Sequence, residues 1–362
     1  MAAVAAPARR AAADRVRRRV RAALAWLHLW VGLAAGTLFA VLGLSGSVLV
    51  FHAELLRLRH PALAAQPVHA DARVLERILA EWEPRGLRAI DLPREAMPAW
   101  QAFFEDGSRR YFATGDGALL LTRTTANDPL LWLHELHTHF LAGETGEQAV
   151  GVVGWIALFL LLSGLYLWWP RLGRWLKHLR VHAHPPVRRW MTWHRTPGAL
   201  LAPWTLLIVL TGVGMIYDSL ARDVLTGLFG GRDAPKAPTL TDTATPPDWA
   251  RVLAAARAAW PHGALVRVAP PREGVMTLRV RADREWHPNG RSLLFVAADG
   301  RVLGVYDATR QAPGTRMNAA LYPLHIGAVG GWPLRIATAL AGLLPAFLLV
   351  TGFLFWRRRR GR

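Results

Sequence analysis

The sequence predicts an integral membrane protein, an all-α four-helix bundle built from a duplicated two-helix unit and carrying two extramembrane α+β domains. Three observations predict this fold class. Four long segments carry no charged residue, nearly all of the net positive charge lies in three short segments, and the chain repeats the order helix, loop, helix. The 362 residues are enough for such a bundle and one or two small domains.

The four uncharged segments are residues 29–51, 149–169, 197–217 and 336–356. A transmembrane helix needs about 20 apolar residues to cross a hydrocarbon core of about 30 Å. Tryptophan residues stand at several of the segment ends, where indole rings favour the membrane interface. The first apolar run is too long for a signal peptide and no small-residue cleavage site follows it, so we interpret it as an uncleaved anchor. With their flanks, the predicted spans are residues 25–52, 131–169, 194–218 and 321–356, the second and fourth each including a short pre-helix.

The distribution of charge predicts the orientation of these spans. Residues before His28, residues 171–195 and residues after Trp356 together hold 19 basic residues and one acidic residue, which is 18 of the net charge of +19. Four crossings place these segments on one side, and the positive-inside rule makes that side cytoplasmic. We therefore expect a bacterial inner-membrane protein with a cytoplasmic N-terminus (1–24), loop (170–193) and C-terminal tail (357–362). The basic segments suit anionic membrane lipid, and we expect no nucleic-acid partner.

Matching sequence pieces in the same order indicate that the chain contains an internal repeat. His28 opens the first helix as His194 opens the third, and a Leu-His pair precedes both the second and the fourth helix, at His137 and His325. The second helix ends on the sequence SGLYLWW and the fourth on TGFLFW, a shared pattern of small polar, glycine, apolar and aromatic residues.

The two long loops, residues 53–130 and 219–320, also match one another. Helical periodicity covers residues 71–82 in the first loop and 248–260 in the second. Strand-like alternation follows at residues 100–104 and 110–112 in the first loop, and at 266–268, 276–281 and 292–296 in the second. Each loop is therefore predicted to form a small periplasmic α+β domain of roughly 60 to 75 residues.

Five motifs resemble the PepSY-associated transmembrane family, which includes inner-membrane ferric-siderophore reductases and proteins labelled as iron-uptake proteins. They are LHLWVG at 27–32, LHELH at 133–137, SGLYLWWP at 163–170, HRTPG at 194–198 and LHIG at 324–327. The resemblance extends over roughly residues 20–358 and implies that both loop domains are PepSY-like. Some relatives carry a fused flavin and nicotinamide reductase module, whereas this chain ends at Arg362 without one. We therefore expect a separate electron donor.

The histidines are the candidate cofactor ligands. The chain has no cysteine, which excludes disulfides, thiolate-ligated iron–sulfur clusters and covalently attached haem. Ionisable side chains at membrane depth are costly and therefore usually functional. A b-type haem needs two imidazoles, usually from neighbouring helices. The repeat supplies two such pairs, so we expect two haem b groups, one held by His28 and His194 and the other by His137 and His325.

Alternatives remain for the outer pair. His134 lies three residues before His137 on a predicted helix and shares its face. His52 is a further candidate at the outer end of the first helix, although its counterpart in the second repeat is Asp218. Histidine is also tolerated at membrane boundaries without binding a cofactor. We interpret His60, His69, His262 and His287 as ordinary loop residues.

Two functions are compatible with the sequence. The first is a di-haem b-type reductase that passes electrons across the membrane to ferric siderophores or related ferric chelates and releases Fe(II) for iron uptake. The second is a non-catalytic sensor or interaction protein whose PepSY-like domains bind peptide or a protein partner. No nucleotide-binding motif and no nucleophile with a neighbouring base are evident, so no catalytic side chain is assigned.

Overall fold

The computed structural model describes residues 5–169, 175–240 and 245–361. Residues 1–4 of the predicted N-terminal segment, 170–174 of the predicted basic loop, 241–244 of the second loop domain and 362 lie outside the described residues. The chain divides into two units. The helical unit comprises the residues up to Val50, residues Leu136–Ile216 and the residues from Arg335 onward, and the sheet unit comprises Phe51–Glu135 and Tyr217–Leu334.

The helices follow the alternation of long apolar and short amphipathic segments. They are α1 Ala5–Leu49, α2 His52–Arg59, α3 Pro61–Ala64, α4 Ala72–Trp82, α5 Pro129–His139, α6 Gly143–Trp168, α7 Trp175–His178, α8 Pro186–Ile216, α9 Asp218–Phe229, α10 Trp249–Ala259, α11 Pro313–His325, α12 Gly331–Gly342 and α13 Leu344–Arg360.

Four of the described helical segments are long and apolar enough to cross a membrane, which confirms the four predicted spans. They are Asp14–Leu49, Gly143–Trp168, Pro186–Ile216 and Ala328–Arg360. The last segment contains the break between α12 and α13 at Leu343. Pro345 follows this break at the start of α13, where a residue without an N–H group is tolerated.

The helical unit is a ring of packed helices in which α1 contacts α6, α6 contacts α8, α8 contacts α13, and α13 contacts α1. Small residues permit the close approach of α1 and α12. A β-carbon on Gly43 would lie 2.3 Å from the carbonyl oxygen of Gly342, so no larger residue fits there without movement. The Ser47 hydroxyl adds a hydrogen bond of 2.7 Å to the carbonyl oxygen of Ala339. Such contacts are typical of helix association in lipid.

The sheet unit contains one antiparallel sheet of eight strands. The strands are β1 Leu87–Asp91, β2 Trp100–Phe104, β3 Arg109–Phe112, β4 Leu119–Arg123, β5 Ala264–Val268, β6 Val275–Arg281, β7 Ser292–Ala297 and β8 Val302–Tyr306. Their order is β4-β3-β2-β1-β5-β6-β7-β8, so two four-stranded meanders join where β1 pairs with β5.

Helices α4 and α10 pack together and share one hydrophobic core with the sheet. Each helix precedes its meander and begins at an aspartate N-cap. Asp71 accepts a hydrogen bond from the backbone N–H of Arg73, and Asp248 accepts one from that of Arg251. The largest fully buried core side chains include Trp100, Phe112 and Met276.

The sequence predicted helices over 71–82 and 248–260 and five of the eight strands, close to their observed bounds. It did not predict β1, β4 or β8. The two loops were expected to form separate α+β domains, whereas their strands form one continuous sheet. The physical reason is edge pairing. By itself, each four-stranded meander would leave a row of unpaired backbone groups along its first strand. Pairing of β1 with β5 supplies hydrogen-bond partners to these groups.

Candidate functional site

Two histidines from helices far apart in the sequence meet inside the helical unit. His28 lies on α1 and His194 on α8, and both side chains are half-buried. Their ring centroids are 6.2 Å apart and their planes are perpendicular. The structure therefore brings together the two residues that the sequence predicted as the inner pair.

Hydrogen bonds define the tautomer of both rings. Nδ1 of His28 lies 2.9 Å from the hydroxyl oxygen of Ser163, whose own proton is directed to the carbonyl oxygen of Leu160. With the serine proton directed to Leu160, the serine oxygen accepts and His28 Nδ1 donates. Nδ1 of His194 likewise donates to the carbonyl oxygen of Leu348 at 2.9 Å. Each ring consequently keeps its proton on Nδ1 and presents the lone pair of Nε2, the arrangement found in histidines that bind metals.

Glycines make room for both imidazoles. A β-carbon built on Gly164 would lie 3.1 Å from Cε1 of His28, and one on Gly352 would lie 3.1 Å from Cε1 of His194. Each glycine directly follows the small polar residue that lies next to the same ring, Ser163 or Thr351. The two histidines therefore occupy equivalent clefts, one formed by α6 and the other by α13.

The spacing of the pair is compatible with one requirement of a bis-histidine haem. In such a site, each ring centroid is separated from the iron by a metal–nitrogen bond of about 2 Å and by the distance from that nitrogen to the ring centre. The two centroids are then about 6 Å apart. The observed separation of 6.2 Å agrees with that distance. A porphyrin supplies its own equatorial nitrogens, so the protein needs to contribute only the two axial imidazoles.

The third predicted ligand, His137, has the same kind of surroundings. It lies on α5, and its Nδ1 is 2.9 Å from the Ser45 hydroxyl oxygen on α1. Ser45 directs its proton to the carbonyl oxygen of Val41 at 2.8 Å, so its oxygen accepts from the imidazole. A β-carbon on Gly46 would lie 2.9 Å from His137 Cε1. The combination of a small polar residue, a glycine and a histidine thus occurs three times in the helical unit.

The remaining candidate ligands belong to the sheet unit. His325 is the last residue of α11 and is half-buried. His134 is half-buried on α5, three residues before His137. His52 is exposed at the first position of α2.

The residues that orient the histidines were not identified from the sequence, although a signal was present. Ser45-Gly46 lies 17 residues after His28, and Thr211-Gly212 lies 17 residues after His194. Together with Ser163-Gly164 and Thr351-Gly352, these are four small-polar-glycine pairs, two in each half of the chain. His287, interpreted from the sequence as an ordinary loop residue, is buried with 5% of its surface exposed.

Comparison with known proteins bears on the whole of this architecture. No curated protein matches the chain. The family model described as the PepSY-associated TM region matches residues 25–359, which include the candidate histidines and all eight described strands. This chain therefore belongs to the PepSY-associated transmembrane family.

Proposed function

We propose that this protein is an inner-membrane di-haem b-type reductase that passes electrons across the membrane to ferric siderophores or related ferric chelates. The observation that carries the proposal is the pairing of His28 with His194. Their centroids lie 6.2 Å apart, and both rings are fixed by hydrogen bonds from Nδ1. A structural histidine at a membrane boundary needs neither a partner ring nor a glycine cleft.

The four predicted histidines would hold two haems. His28 and His194 would hold the inner one. His137 and His325 would hold the outer one, and this second pair follows from the repeat because the two residues occupy corresponding positions before the second and fourth spans. His134 and His52 are the second-choice ligands there. When bound, haem would supply reversible one-electron transfer between iron(III) and iron(II).

The arrangement along α1 suits transfer across a membrane. His28 and Ser45, which contacts His137, are 17 residues apart on this helix, or about 25 Å. Two histidine sites therefore lie toward opposite ends of one span. The apolar helices exclude water between them, and the glycine clefts keep both imidazoles in place.

The proposed reaction is a one-electron reduction. An electron from a separate donor reaches the iron(III) of the chelate and yields iron(II), which hard oxygen ligands bind more weakly. Iron(II) is then released for uptake. The class of substrate comes from the resemblance to siderophore reductases of this family, and no protein side chain is assigned a catalytic role.

Haem content tests the ligand assignment. We expect the purified protein to bind about two haems per chain, because two histidine pairs provide the axial ligands of two haems. His28→Ala and His194→Ala should each remove the inner haem and leave the outer one, as measured by pyridine haemochrome content and by oxidised-minus-reduced visible spectra. His69→Ala is the matched control because His69 is exposed in the sheet unit. Wild-type haem content in both ligand variants would refute the inner site, and loss only in His134→Ala or His52→Ala would reassign the outer ligand.

Electron transfer to the substrate is tested separately. The reduced protein is mixed anaerobically with a panel of ferric siderophores. Haem reoxidation matched by Fe(II) trapped with a ferrous-specific chelator is the expected result. If no ferric chelate reoxidises the haem faster than a haem-free control consumes the reductant, the reductase proposal fails. The alternative of a peptide-binding sensor then becomes the better account.

We further propose that the chain arose by duplication of a helix–domain–helix unit and that each half of the sheet unit is a PepSY-like domain. The equivalent clefts around His28 and His194 support the duplication. So do the matching N-caps at Asp71 and Asp248 and the two four-stranded meanders. The charge distribution supports cytoplasmic termini and a periplasmic sheet unit.

A further inference from the structure

The face of the sheet that points away from α4 and α10 carries a cluster of arginines. Side chains alternate between the two faces of a strand. Ile90 and Val268 point into the hydrophobic core, so their neighbours Asp91 and Arg267 point to the opposite face. Arg279, between the core residues Leu278 and Val280, lies on that face as well and is the direct cross-strand neighbour of Arg267. We call Arg94, Arg109, Arg267 and Arg279 the arginine cluster.

Asp91 is the one carboxylate that the described residues place in ion pairs with this cluster. It accepts from Arg267 at 2.5 and 3.2 Å and lies 3.6 Å from the Arg94 guanidinium. Within the described part of the chain, the guanidinium groups of Arg109 and Arg279 form neither an ion pair nor a hydrogen bond. The cluster therefore has an excess of positive charge.

Aromatic rings accompany the cluster. Phe103 lies beneath two guanidinium groups, 4.2 Å from that of Arg267 and 5.7 Å from that of Arg109. The His287 ring lies against Tyr322 with centroids 5.1 Å apart. Burial lowers the pKa of His287 to about 3, and the nearby Arg291, Arg279, Arg267 and Arg94 contribute to this shift. His287 is consequently neutral at physiological pH.

The arginines keep their charge. Burial, followed by repulsion from Arg267 and Arg291, lowers the pKa of Arg279 to about 10, which leaves it protonated at neutral pH. Like charges placed directly opposite one another on neighbouring strands destabilise a sheet. The repulsion between Arg267 and Arg279 is therefore expected to destabilise the sheet.

An arginine with a purely structural role looks different in the same unit. Arg123 is almost fully buried, donates to Asp128 at 2.9 Å, and donates to the Tyr111 hydroxyl at 2.8 Å. Its charge is matched by one carboxylate. Arg109 is paired with Arg123 across strands β3 and β4, yet it has no carboxylate partner among the described residues. The guanidinium groups of Arg109 and Arg279 therefore have hydrogen-bond donors that a bound ligand can use.

We infer that the arginine cluster binds an oxygen-rich polyanionic ligand. Building on the proposed function, the ligand is a ferric chelate of net negative charge, preferred over neutral and cationic chelates. Guanidinium groups donate charge-assisted hydrogen bonds to carboxylate and catecholate oxygens. The rings of Phe103 and Tyr322 favour an aromatic ligand such as a tris-catecholate over inorganic phosphate.

Binding of redox-inert gallium(III) complexes tests the inference without electron transfer. The full-length protein in detergent is titrated calorimetrically with a gallium tris-catecholate, which is anionic, and with a gallium trihydroxamate bearing a free ammonium group, which is cationic. The anionic complex should bind more tightly. Arg279→Gln and Arg109→Gln should each weaken its binding about ten-fold or more, the effect of losing one charge-assisted hydrogen bond. Arg301→Gln, which removes an exposed charge from the same unit, is the matched control.

Thermal stability separates a binding role from a structural one. Because Arg279 faces Arg267, Arg279→Gln should leave the melting temperature of the ligand-free protein unchanged or raise it. Equal affinity for both gallium complexes, or unchanged affinity in both arginine variants, would overturn the inference. Displacement of the gallium complex by an equal concentration of inorganic phosphate would also overturn it. If ferric chelates of either charge reoxidise the haem equally well in wild type and Arg279→Gln, the reductase proposal stands and this inference fails.

Discussion

Gly164 lies against the Cε1 edge of His28, at a position where a β-carbon would be 3.1 Å from that atom. Gly352 lies against His194 at the same distance. In each cleft the absence of a side chain sets the position of the imidazole, and hydrogen bonds from Nδ1 set its rotation. The orientation of both histidines therefore depends on neighbouring residues of α6 and α13.

Gly164→Ala is expected to displace the His28 ring by a few tenths of an ångström, because the added methyl group meets Cε1. The expected result is a shift in the electron paramagnetic resonance signal of the proposed inner haem in its oxidised state, with haem content retained. Gly164→Leu should remove that haem. Gly32→Ala is the control, since its β-carbon would lie 3.7 Å from Leu160, an ordinary contact. An unshifted signal in Gly164→Ala together with full haem content in Gly164→Leu would contradict the assigned cleft.

Ser163→Ala should raise the midpoint potential of the proposed inner haem. The serine oxygen accepts from His28 Nδ1, and this hydrogen bond makes the imidazole a stronger donor that favours iron(III). A hydrogen bond contributes about 1 kcal/mol, and 59 mV corresponds to about 1.4 kcal/mol for one electron, so the rise should be on the order of tens of millivolts.

The measurement is a potentiometric titration of the purified protein. Ser163→Thr keeps the hydroxyl and should restore the wild-type potential, which a role in packing alone does not predict. An unchanged or lower potential in Ser163→Ala would contradict the assigned hydrogen bond from His28 Nδ1 to the serine oxygen.

The buried pair of Arg123 and Asp128 should make the sheet unit sensitive to acid. Burial alone would raise the pKa of Asp128, but hydrogen bonds from Arg123 and from the backbone N–H of Leu131 outweigh it and lower that pKa. A carboxyl group with a lowered pKa stabilises the fold above its unfolded pKa of about 3.9, and this contribution is lost as pH falls through the folded value.

Asp128→Asn should therefore destabilise the protein by about 3–5 kcal/mol at pH 7, because it leaves Arg123 buried without a counter-charge. Thermal unfolding measured between pH 7 and the acid limit of folding should show wild type and variant converging as pH falls. Glu81→Gln removes the exposed Glu81–Arg85 pair and should have little effect. A pH-independent gap between wild type and Asp128→Asn would show that ionisation of Asp128 is not the cause.

A reporter protein fused after Arg362 should be active only if it functions in the cytoplasm. This outcome follows from the proposed orientation, because the basic residues at 357–360 directly follow the fourth span. A reporter inserted at Gly107, an exposed turn of the sheet unit, should give the opposite result. Activity of a periplasm-dependent reporter after Arg362 would reverse the proposed orientation and exchange the proposed inner and outer haem sites.

The local elements were largely predictable. Residues 71–82 repeat apolar positions with helical spacing, and the structure confirms them as α4. Residues 276–281 alternate and form β6. The break at Leu343 within the fourth span was not predicted, because uninterrupted hydropathy hides a local change in backbone direction. Three strands were missed since their short sequences carry little alternation.

The sequence by itself determined the four spans and the pairing of His28 with His194, because apolar length, charge and repeat spacing are properties of the chain in order. Only the tertiary structure decided that β1 pairs with β5 and that Arg267 faces Arg279 on the neighbouring strand. It also decided that Ser163 and Leu348 fix the histidine tautomers. These features join segments far apart in sequence. Their energies depend on distances of a few ångströms between side chains, which no local pattern of residues encodes.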